Sequence, residues 1–200
     1  MTNEHFFMRK LQITELNRLT VEEFKLAPKY KIIAVLDNVR SQHNVGSIFR
    51  TCDAFRLESI FLCGITATPP NSEIHKTALG AEDSVAWKYF EETQTAVNQL
   101  KKSGYELIAI EQTDKSILLT DFIPDKNKKY ALIFGNEVKG VQQNVIDLCD
   151  ISLEVPQFGT KHSLNVSVAA GIVIWDMIVR FPTVRFPISD KESAKGRIFN

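Results

Sequence analysis

The chain has 200 residues, of which 44% are hydrophobic and 24% are charged. This composition is typical of one globular domain with a continuous core, and it excludes a disordered or collagen-like chain. Lysine plus arginine and aspartate plus glutamate each number 24, so the formal net charge is zero and a nucleic-acid partner must be held by a local patch.

The three cysteines are an odd number and form no CxxC pair. This pattern argues against a disulfide framework and against a structural zinc site. Residues 1–16 carry charges from the start and lack the apolar stretch of a secretory signal. The most apolar stretch, Val166–Val179, is interrupted by Asp176 and is too short to span a bilayer. We therefore expect a cytoplasmic protein with no membrane contact and no metal.

Residues 1–31 mix apolar and charged side chains at a spacing that predicts one or two amphipathic helical pieces ahead of Pro28. Short apolar runs then alternate with helical patterns. The predicted strands cover 31–37, 59–64, 85–90, 105–112, 130–135 and 151–156. One predicted helix begins after Asn44, and the others cover 73–80, 93–103, 140–149 and 163–181. This alternation predicts an α/β fold with a mostly parallel sheet flanked by helices.

Ligands bind such sheets where loops leave the carboxyl ends of the strands. The loop after residue 37 is polar and leads into a helix on which Arg50 lies off the apolar face. Two interpretations are open for this segment alone. In the structural one, Asn44 is the helix N-cap and Arg50 pairs with Asp53; in the functional one, both residues serve a ligand.

The second unusual loop is Gly135-Asn136-Glu137-Val138-Lys139-Gly140, directly after a strand. A Walker A loop would place Lys and then Ser or Thr after the second glycine, and Val141-Gln142 stand there instead. The loop is therefore either a tight turn that brings bare backbone and Glu137 close to a ligand, or an ordinary turn with a surface glutamate.

The third segment covers residues 155–171 and leads into the long apolar helix. Ser163 is the expected N-cap of this helix. That assignment leaves Asn165 as a polar amide within the first turn of an apolar helix, where such a group needs a hydrogen-bond partner.

Together the three segments resemble the three signature motifs of the SpoU (TrmH-like) family of RNA ribose 2′-O-methyltransferases, in the SPOUT superfamily. Motif one, an Asn followed by x-Gly-x-Ile-x-Arg, matches Asn44–Arg50. Motif two, Gly-x-Glu-x-x-Gly, matches Gly135–Gly140, and the Ser-Leu-Asn-Val-Ser-x-Ala core of motif three matches Ser163–Ala169. The resemblance covers roughly residues 31–181.

The resemblance implies a methyltransferase domain over 31–181 with a C-terminal deep trefoil knot, between an N-terminal helical extension (1–30) and a C-terminal tail (182–200). It implies S-adenosyl-L-methionine as cofactor, transfer or ribosomal RNA as substrate, and a homodimer with a composite active site. The implied catalytic residues are Arg50, Asn44, Glu137, Ser163 and Asn165, and the implied cofactor-binding residues are Gly135, Asn136, Val155, Pro156 and Leu164.

The family implicates the motif-one arginine, here Arg50, in activating the ribose hydroxyl. A guanidinium is a poor base at neutral pH, so we expect Arg50 to hold an RNA phosphate and stabilise the developing alkoxide. The proton then passes to phosphate, water or a neighbour such as Glu137. Asn44, Ser163 and Asn165 are expected to orient the ribose and Arg50, and the resemblance implies that Arg50 or Asn44 serves the cofactor of a partner copy.

Two other functions compete with this prediction. The first is a catalytically silent knotted protein that binds RNA or assists ribosome assembly; the joint presence of Arg50, Glu137, Ser163 and Asn165 argues against it. The second is a Rossmann-like dehydrogenase, which is disfavoured because no GxGxxG follows the first strand. Substrate choice is assigned to residues 1–31, the loop Thr66–Glu73 and the tail.

Overall fold

The computed structural model describes residues 8–181. Ahead of Pro28, a 3-10 turn (Ile13–Glu15) is followed by helix α1 (Val21–Leu26). Helix α1 begins with a capping box, in which Thr20 and Glu23 each bind the other's backbone amide. The prediction of one or two helical pieces ahead of Pro28 is confirmed. The predicted tail 182–200 lies outside the described residues.

The core of the molecule is a seven-stranded sheet with the order β3-β2-β1-β6-β4-β7-β5. Every pair of neighbouring strands is parallel, which confirms the predicted parallel arrangement. The two-residue strand β5 was not predicted. The strands are β1 (Tyr30–Asp37), β2 (Leu57–Cys63), β3 (Trp87–Phe90), β4 (Tyr105–Ile110), β5 (Ile117–Leu118), β6 (Lys129–Phe134) and β7 (Ile151–Glu154).

Helices cover both faces of this sheet, so its central strands are apolar on both sides. Ile32, Ala34 and Leu36 of β1 belong to the core layer that holds the apolar residues of α2 and α7. Ile33 and Val35 belong to the opposite layer, with those of α5 and α6. The helices after α1 are α2 (Gln42–Ala54), α3 (Ser72–Ala78), α4 (Ala81–Ser84), α5 (Thr93–Lys102), α6 (Gln143–Ile146) and α7 (Val166–Arg180).

The predicted boundaries of three helices are wrong. Helix α2 begins at Gln42 and not after Asn44. The helix predicted over 140–149 is only the four-residue α6, because Gly140 has a left-handed backbone (φ +66°) and the Gln142 amide donates to the Asp37 carboxylate. Helix α7 begins at Val166 rather than 163, and its N-cap is Asn165. Within residues 8–181, no helix has both the length and the apolar character needed to cross a membrane.

Candidate functional site

A cavity of about 490 Å³ opens at the carboxyl edge of the sheet. Strands β6, β4 and β7 are neighbours in the sheet, so the loops that leave their carboxyl ends converge there. The volume is within the range of about 300–1,000 Å³ found for small-molecule sites. Three segments form most of the wall: residues 110–112, residues 134–140, and residues 153–169 with gaps.

The glycine turn after β6 is folded back on itself. Asn136 and Gly140 exchange two backbone hydrogen bonds, of 2.9 and 3.0 Å. A Cβ atom on Gly135 would lie 2.1 Å from the Gly140 carbonyl carbon, so only glycine fits at this position. The segment is a tight turn whose bare backbone lines the cavity, and its approach to a ligand stays a prediction.

Glu137 connects the glycine turn to the segment of motif one. One carboxylate oxygen accepts from the Arg40 amide (2.9 Å), and the other accepts from the Ser41 amide (2.9 Å) and from Asn44 Nδ2 (3.0 Å). Burial alone would raise the pKa of this carboxyl, but the three donors outweigh burial and lower its pKa. Glu137 is therefore held as a carboxylate, with both oxygens bound to neighbouring loops.

Asn44 and Asn165 join motif one to motif three. The Asn44 side-chain oxygen accepts a hydrogen bond of 3.2 Å from Asn165 Nδ2, while its amide nitrogen donates to Glu137. The structural interpretation of Asn44 as a helix N-cap is wrong, because Ser41 caps α2 and its hydroxyl accepts from the Asn44 backbone amide. The Asn44 side chain is thereby left to bridge Glu137 and Asn165.

Asn165, not Ser163, is the N-cap of α7. Its side-chain oxygen accepts from the Ser167 and Val168 backbone amides, and its amide nitrogen faces Asn44. This double use supplies the partner that the sequence required for Asn165. The exposed Ser163 hydroxyl lines the cavity and makes no hydrogen bond within residues 8–181.

Arg50 lies away from this cavity. It is six residues beyond Asn44 on α2, which is about 9 Å along the helix and on a different face. The side chain is exposed, and it forms no hydrogen bond or ion pair in the described part of the chain. The alternative pairing with Asp53 is absent, since Asp53 accepts from the Ser84 hydroxyl at 2.6 Å.

Sequence reasoning missed the segment after β4. Glu111 accepts from the Val141 amide at 2.9 Å, and Gln112 Nε2 donates to the His162 carbonyl at 3.0 Å. These two neighbours therefore connect the glycine turn to the motif-three segment across the cavity. Their residue types carry no recognisable spacing, so only the sheet order reveals that β4 lies between β6 and β7.

Asp37 is a further residue that the sequence did not single out, and it fixes the loops beside the cavity without lining it. Its fully buried carboxylate ends β1 and accepts from Asn38 Nδ2, the Thr93 hydroxyl, and both the amide and Nε2 of Gln142, at 2.6–2.9 Å. Four neutral donors compensate for its desolvation. Its signal in the sequence is a carboxylate at the end of an otherwise apolar strand.

The cavity brings together seven of the ten residues that the resemblance implied. Asn44 does not line the cavity, but its side chain binds two lining residues, Glu137 and Asn165. Pro156 lies in the chain between two lining residues, and Arg50 lies outside the cavity. Within residues 8–181, no group of three or more His, Cys, Asp and Glu side chains is arranged to hold a metal ion. The seven implied residues that line the cavity are Gly135, Asn136, Glu137, Val155, Ser163, Leu164 and Asn165.

The chain is similar to known proteins over most of its length. The model of the SpoU rRNA Methylase family matches residues 31–175. A tRNA (guanosine(18)-2′-O)-methyltransferase of Aquifex aeolicus is 30% identical over 148 residues, which are 72% of this chain and 67% of that protein. The 23S rRNA (guanosine-2′-O-)-methyltransferase RlmB of Neisseria meningitidis serogroup B is 29% identical, over 72% of this chain and 56% of that protein.

Solved structures share the fold. The crystal structure of the A. aeolicus TrmH/SpoU tRNA modifying enzyme superposes with a TM-score of 0.71 at 24% identity, covering 80% of this chain and 81% of that one. The AdoMet-bound rRNA methyltransferase from Sinorhizobium meliloti superposes with a TM-score of 0.69 at 25% identity, covering 75% and 56%. The chain spans little more than half the length of the Neisseria and Sinorhizobium proteins.

Proposed function

The chain belongs to the SpoU rRNA methylase family, and from that premise we propose that it is an S-adenosylmethionine-dependent methyltransferase acting on the ribose 2′-hydroxyl of a transfer or ribosomal RNA. The names of its relatives, which act on tRNA or on 23S rRNA, support this reaction class. The observation that carries the proposal is the chain of side-chain hydrogen bonds Glu137–Asn44–Asn165, which joins all three motifs at one cavity.

The cavity fits the proposed cofactor. Ile110, Val155 and Leu164 offer apolar surface, and the bare backbone of the turn at Gly135 offers hydrogen-bonding groups at close approach. Pro156 would hold the backbone of Val155 against the ligand. When bound, S-adenosylmethionine supplies a methyl group on a positively charged sulfur. The protein must then align the 2′-oxygen with that carbon and help the hydroxyl lose its proton.

The residues around the cavity divide these tasks. The Ser163 hydroxyl, unpaired within residues 8–181, donates to or accepts from the ribose. Glu137 is a positioning group in this proposal and not the proton acceptor, because three donors occupy its oxygens and lower its pKa. The proton leaves to water or to an RNA phosphate.

Arg50 completes the site from a second copy of the chain. Its guanidinium is exposed and unpaired, and it lies outside the cavity of its own copy. In the dimer it holds an RNA phosphate and stabilises the alkoxide that develops on the 2′-oxygen. Asn44 serves its own copy, since it binds Glu137 and Asn165 there.

The exposed face of α7 provides the surface for this dimer. Val168, Ile172, Trp175 and Val179 follow at intervals of four, three and four residues and are each 39–51% exposed. This spacing forms one apolar stripe along the helix. Trp175 also packs against Phe55 at the end of α2, with ring centroids 5.6 Å apart, so the stripe adjoins the helix that carries Arg50. These features support a homodimer with a composite active site.

We also infer that the methyltransferase domain covers 31–181, with residues 1–30 as a helical extension, and that the segment after β7 passes through a deep trefoil knot. The bonds Gln112–His162 and Asn44–Asn165 support this threading, because they hold the segment between loops from opposite sides of the cavity. Knotted chains are rare. Solution of a crystal structure with a traced C-terminal segment tests this inference.

Methyl transfer to RNA is tested with radiolabelled S-adenosylmethionine and total RNA from cells that lack this gene, followed by mapping of the modified nucleotide. We expect incorporation into one ribose of a transfer or ribosomal RNA. RNA binding without incorporation would instead identify the silent RNA-binding protein.

The role of Arg50 is tested by substitution and by mixing. We expect Arg50→Ala to lower kcat by about 100-fold and Arg50→Lys by about tenfold, because lysine lacks the planar fork. Near-wild-type activity of Arg50→Lys would show that charge alone suffices. If the site is composite, mixing Arg50→Ala with Asn165→Ala restores activity that neither variant has alone; no restoration contradicts it.

A further inference from the structure

The loop between β7 and α7 carries an exposed aromatic ring beside the cavity. Phe158 is 98% exposed, although burial of one phenylalanine side chain is worth roughly 1.5–3 kcal/mol to a fold. Its neighbour Gln157 lines the cavity, as does His162 at the other end of the loop. The ring therefore belongs to a loop that meets the cavity wall at both ends, and it does not contribute to the core.

The loop that carries this ring is held in place. Its first end follows β7, whose residues pair with β4. Its second end is fixed where Gln112 Nε2 donates to the His162 carbonyl at 3.0 Å and where Asn165 caps α7. Both ends of the loop are therefore anchored beside the cavity.

The cavity wall and the loop of the ring carry charges of both signs. Glu111, Glu137 and Glu154 line the cavity, and each carboxylate accepts a hydrogen bond from the chain. Segment 155–165 contains a lysine and no aspartate or glutamate. Lys161 follows the ring in the same loop, Lys139 lies on the glycine turn, and the Arg40 backbone amide donates to Glu137. None of these three cations forms an ion pair with a residue of the described chain. We use the term rim for Phe158, Lys161, Lys139 and Arg40.

An exposed aromatic ring among unpaired cations is the combination that single-stranded nucleic acid recognises. Bases of unpaired RNA stack on aromatic side chains while lysine and arginine bind the adjacent phosphates. We propose that the rim binds single-stranded RNA, and that Phe158 stacks on an unpaired base next to the nucleotide whose ribose enters the cavity. This inference rests on the proposed function and assigns substrate binding to Phe158, a residue of the third segment that matches no position of the motif-three core Ser163–Ala169.

The cationic rim favours RNA over a second copy of the chain as occupant. The apolar stripe on α7 has four apolar residues in register, which suits a protein interface. Phe158 is instead followed by glycine, threonine, lysine and histidine. An isolated ring with a polar, basic surround offers stacking and phosphate contact but little continuous apolar area.

The test compares Phe158→Ala, Phe158→Tyr and Ile123→Ala with the unchanged protein. Ile123 is the matched control, since it is 82% exposed and does not line the cavity. Binding of deproteinised total transfer RNA and of a single-stranded RNA oligomer with 2-aminopurine is followed by fluorescence. S-adenosylmethionine affinity is measured by calorimetry and oligomeric state by light scattering.

We expect Phe158→Ala to weaken RNA binding about tenfold, with the cofactor affinity and oligomeric state unchanged. Phe158→Tyr keeps the ring and should retain binding and 2-aminopurine quenching, and Ile123→Ala should behave as the unchanged protein. Lys161→Ala should weaken binding and reduce the dependence of log K on log salt by about one contact.

Equal RNA affinity of Phe158→Ala and the unchanged protein overturns the inference, and so does conversion of Phe158→Ala to a different oligomeric state, which would assign the ring to an interface between copies. These outcomes are separable from failure of the proposed function. If the unchanged protein methylates RNA but Phe158→Ala has the same KM for RNA, only this inference fails. If the unchanged protein binds RNA through Phe158 but transfers no methyl group, only the enzymatic proposal fails.

Discussion

The two edges of the sheet hold their carboxylates in different ways. At the carboxyl edge, Asp37 and Glu137 accept only from amides and a hydroxyl, and Asp37 is completely buried. At the amino edge, carboxylates pair with exposed lysines. Those pairs are Lys31–Glu58 at 3.5 Å, Lys128–Glu106 at 2.9 Å and Lys101–Asp150 at 3.0 Å.

The loops at the carboxyl edge are therefore fixed by hydrogen bonds, whereas the amino edge is a solvent-exposed surface. A surface ion pair is worth about 0–1 kcal/mol, because water screens it and its long side chains lose entropy. A buried carboxylate with several donors fixes every loop that supplies one, since each donor left unpaired costs about 1–3 kcal/mol. Small displacements of the loops at the carboxyl edge, which carries the candidate site, therefore cost more free energy than displacements at the amino edge.

Removal of the buried carboxylate should have the largest effect. We expect Asp37→Ala to lower the free energy of unfolding by about 3 kcal/mol, because it leaves the donors of Thr93 and Gln142 without their acceptor. Denaturant unfolding followed by circular dichroism measures this change. Asp37→Asn, which keeps one acceptor oxygen, should lose less. A loss below about 1 kcal/mol for the alanine variant would show that water replaces the carboxylate.

Glu137→Gln should disturb the loops more than the fold. A glutamine presents an NH₂ group where the Ser41 or Arg40 amide needs an acceptor, so we expect kcat to fall by about 10–100-fold with the secondary structure unchanged. Steady-state methyl transfer and circular dichroism check both parts. Activity equal to that of the unchanged protein would mean that the carboxylate charge does not position the loop.

The same residue gives a pH dependence with a definite sign. The pKa of Glu137 is lowered in the fold, so its stabilising contribution is present above the unfolded value of about 4.3 and is lost as the pH falls through the folded pKa. Unfolding titrations below about pH 5 should therefore show a smaller loss of stability for Glu137→Gln than for the unchanged protein. Parallel pH profiles would contradict this assignment.

Substitutions of Asn165 can separate its two roles, which are the capping of α7 and the hydrogen bond to Asn44 of motif one. Asn165→Ala removes both and should cost about 1 kcal/mol of stability. Asn165→Asp keeps the oxygen that caps α7 but has no donor for Asn44, so we expect near-normal stability with methyl transfer reduced about tenfold. Equal activity of the aspartate variant and the unchanged protein would remove Asn44–Asn165 from the functional network.

The smallest effect is expected at the amino edge. Lys128→Ala removes the ion pair with Glu106, whose partners are 51% and 20% exposed, and it should change the free energy of unfolding by less than about 0.5 kcal/mol. Methyl transfer should be unchanged. A loss comparable to that of Asp37→Ala would abolish the distinction between the two edges.

The apolar runs predicted most of the architecture because a parallel sheet buried on both faces leaves a strong hydrophobic signal. They did not predict β5 or α4, since elements of two and four residues have no period to detect. The cap of α7 was also misassigned, because Ser163 and Asn165 are both good capping residues and only tertiary contact with Asn44 selects between them.

Motif residues that are distant in sequence were grouped by resemblance, and the fold brings seven of them to one cavity. Asp37, Glu111 and Gln112 were not predicted, because their partners lie in loops that only the strand order brings together. Arg50 has no role that one copy of the chain explains, since the cavity is lined without it. The proposed site shared between two copies would explain this, because the contact between copies leaves no local trace in a single sequence.

The turn between Asn136 and Gly140, which two backbone hydrogen bonds close, affects how a ligand is captured. The Asn136 side chain accepts from the Val138 and Lys139 amides and donates to the Asn38 carbonyl at 2.8 Å, so the turn is already rigid before anything enters. Association then pays little conformational entropy and leaves most of the contact energy for affinity. Such a preorganised cradle is expected to bind in a single kinetic phase, without a slow rearrangement.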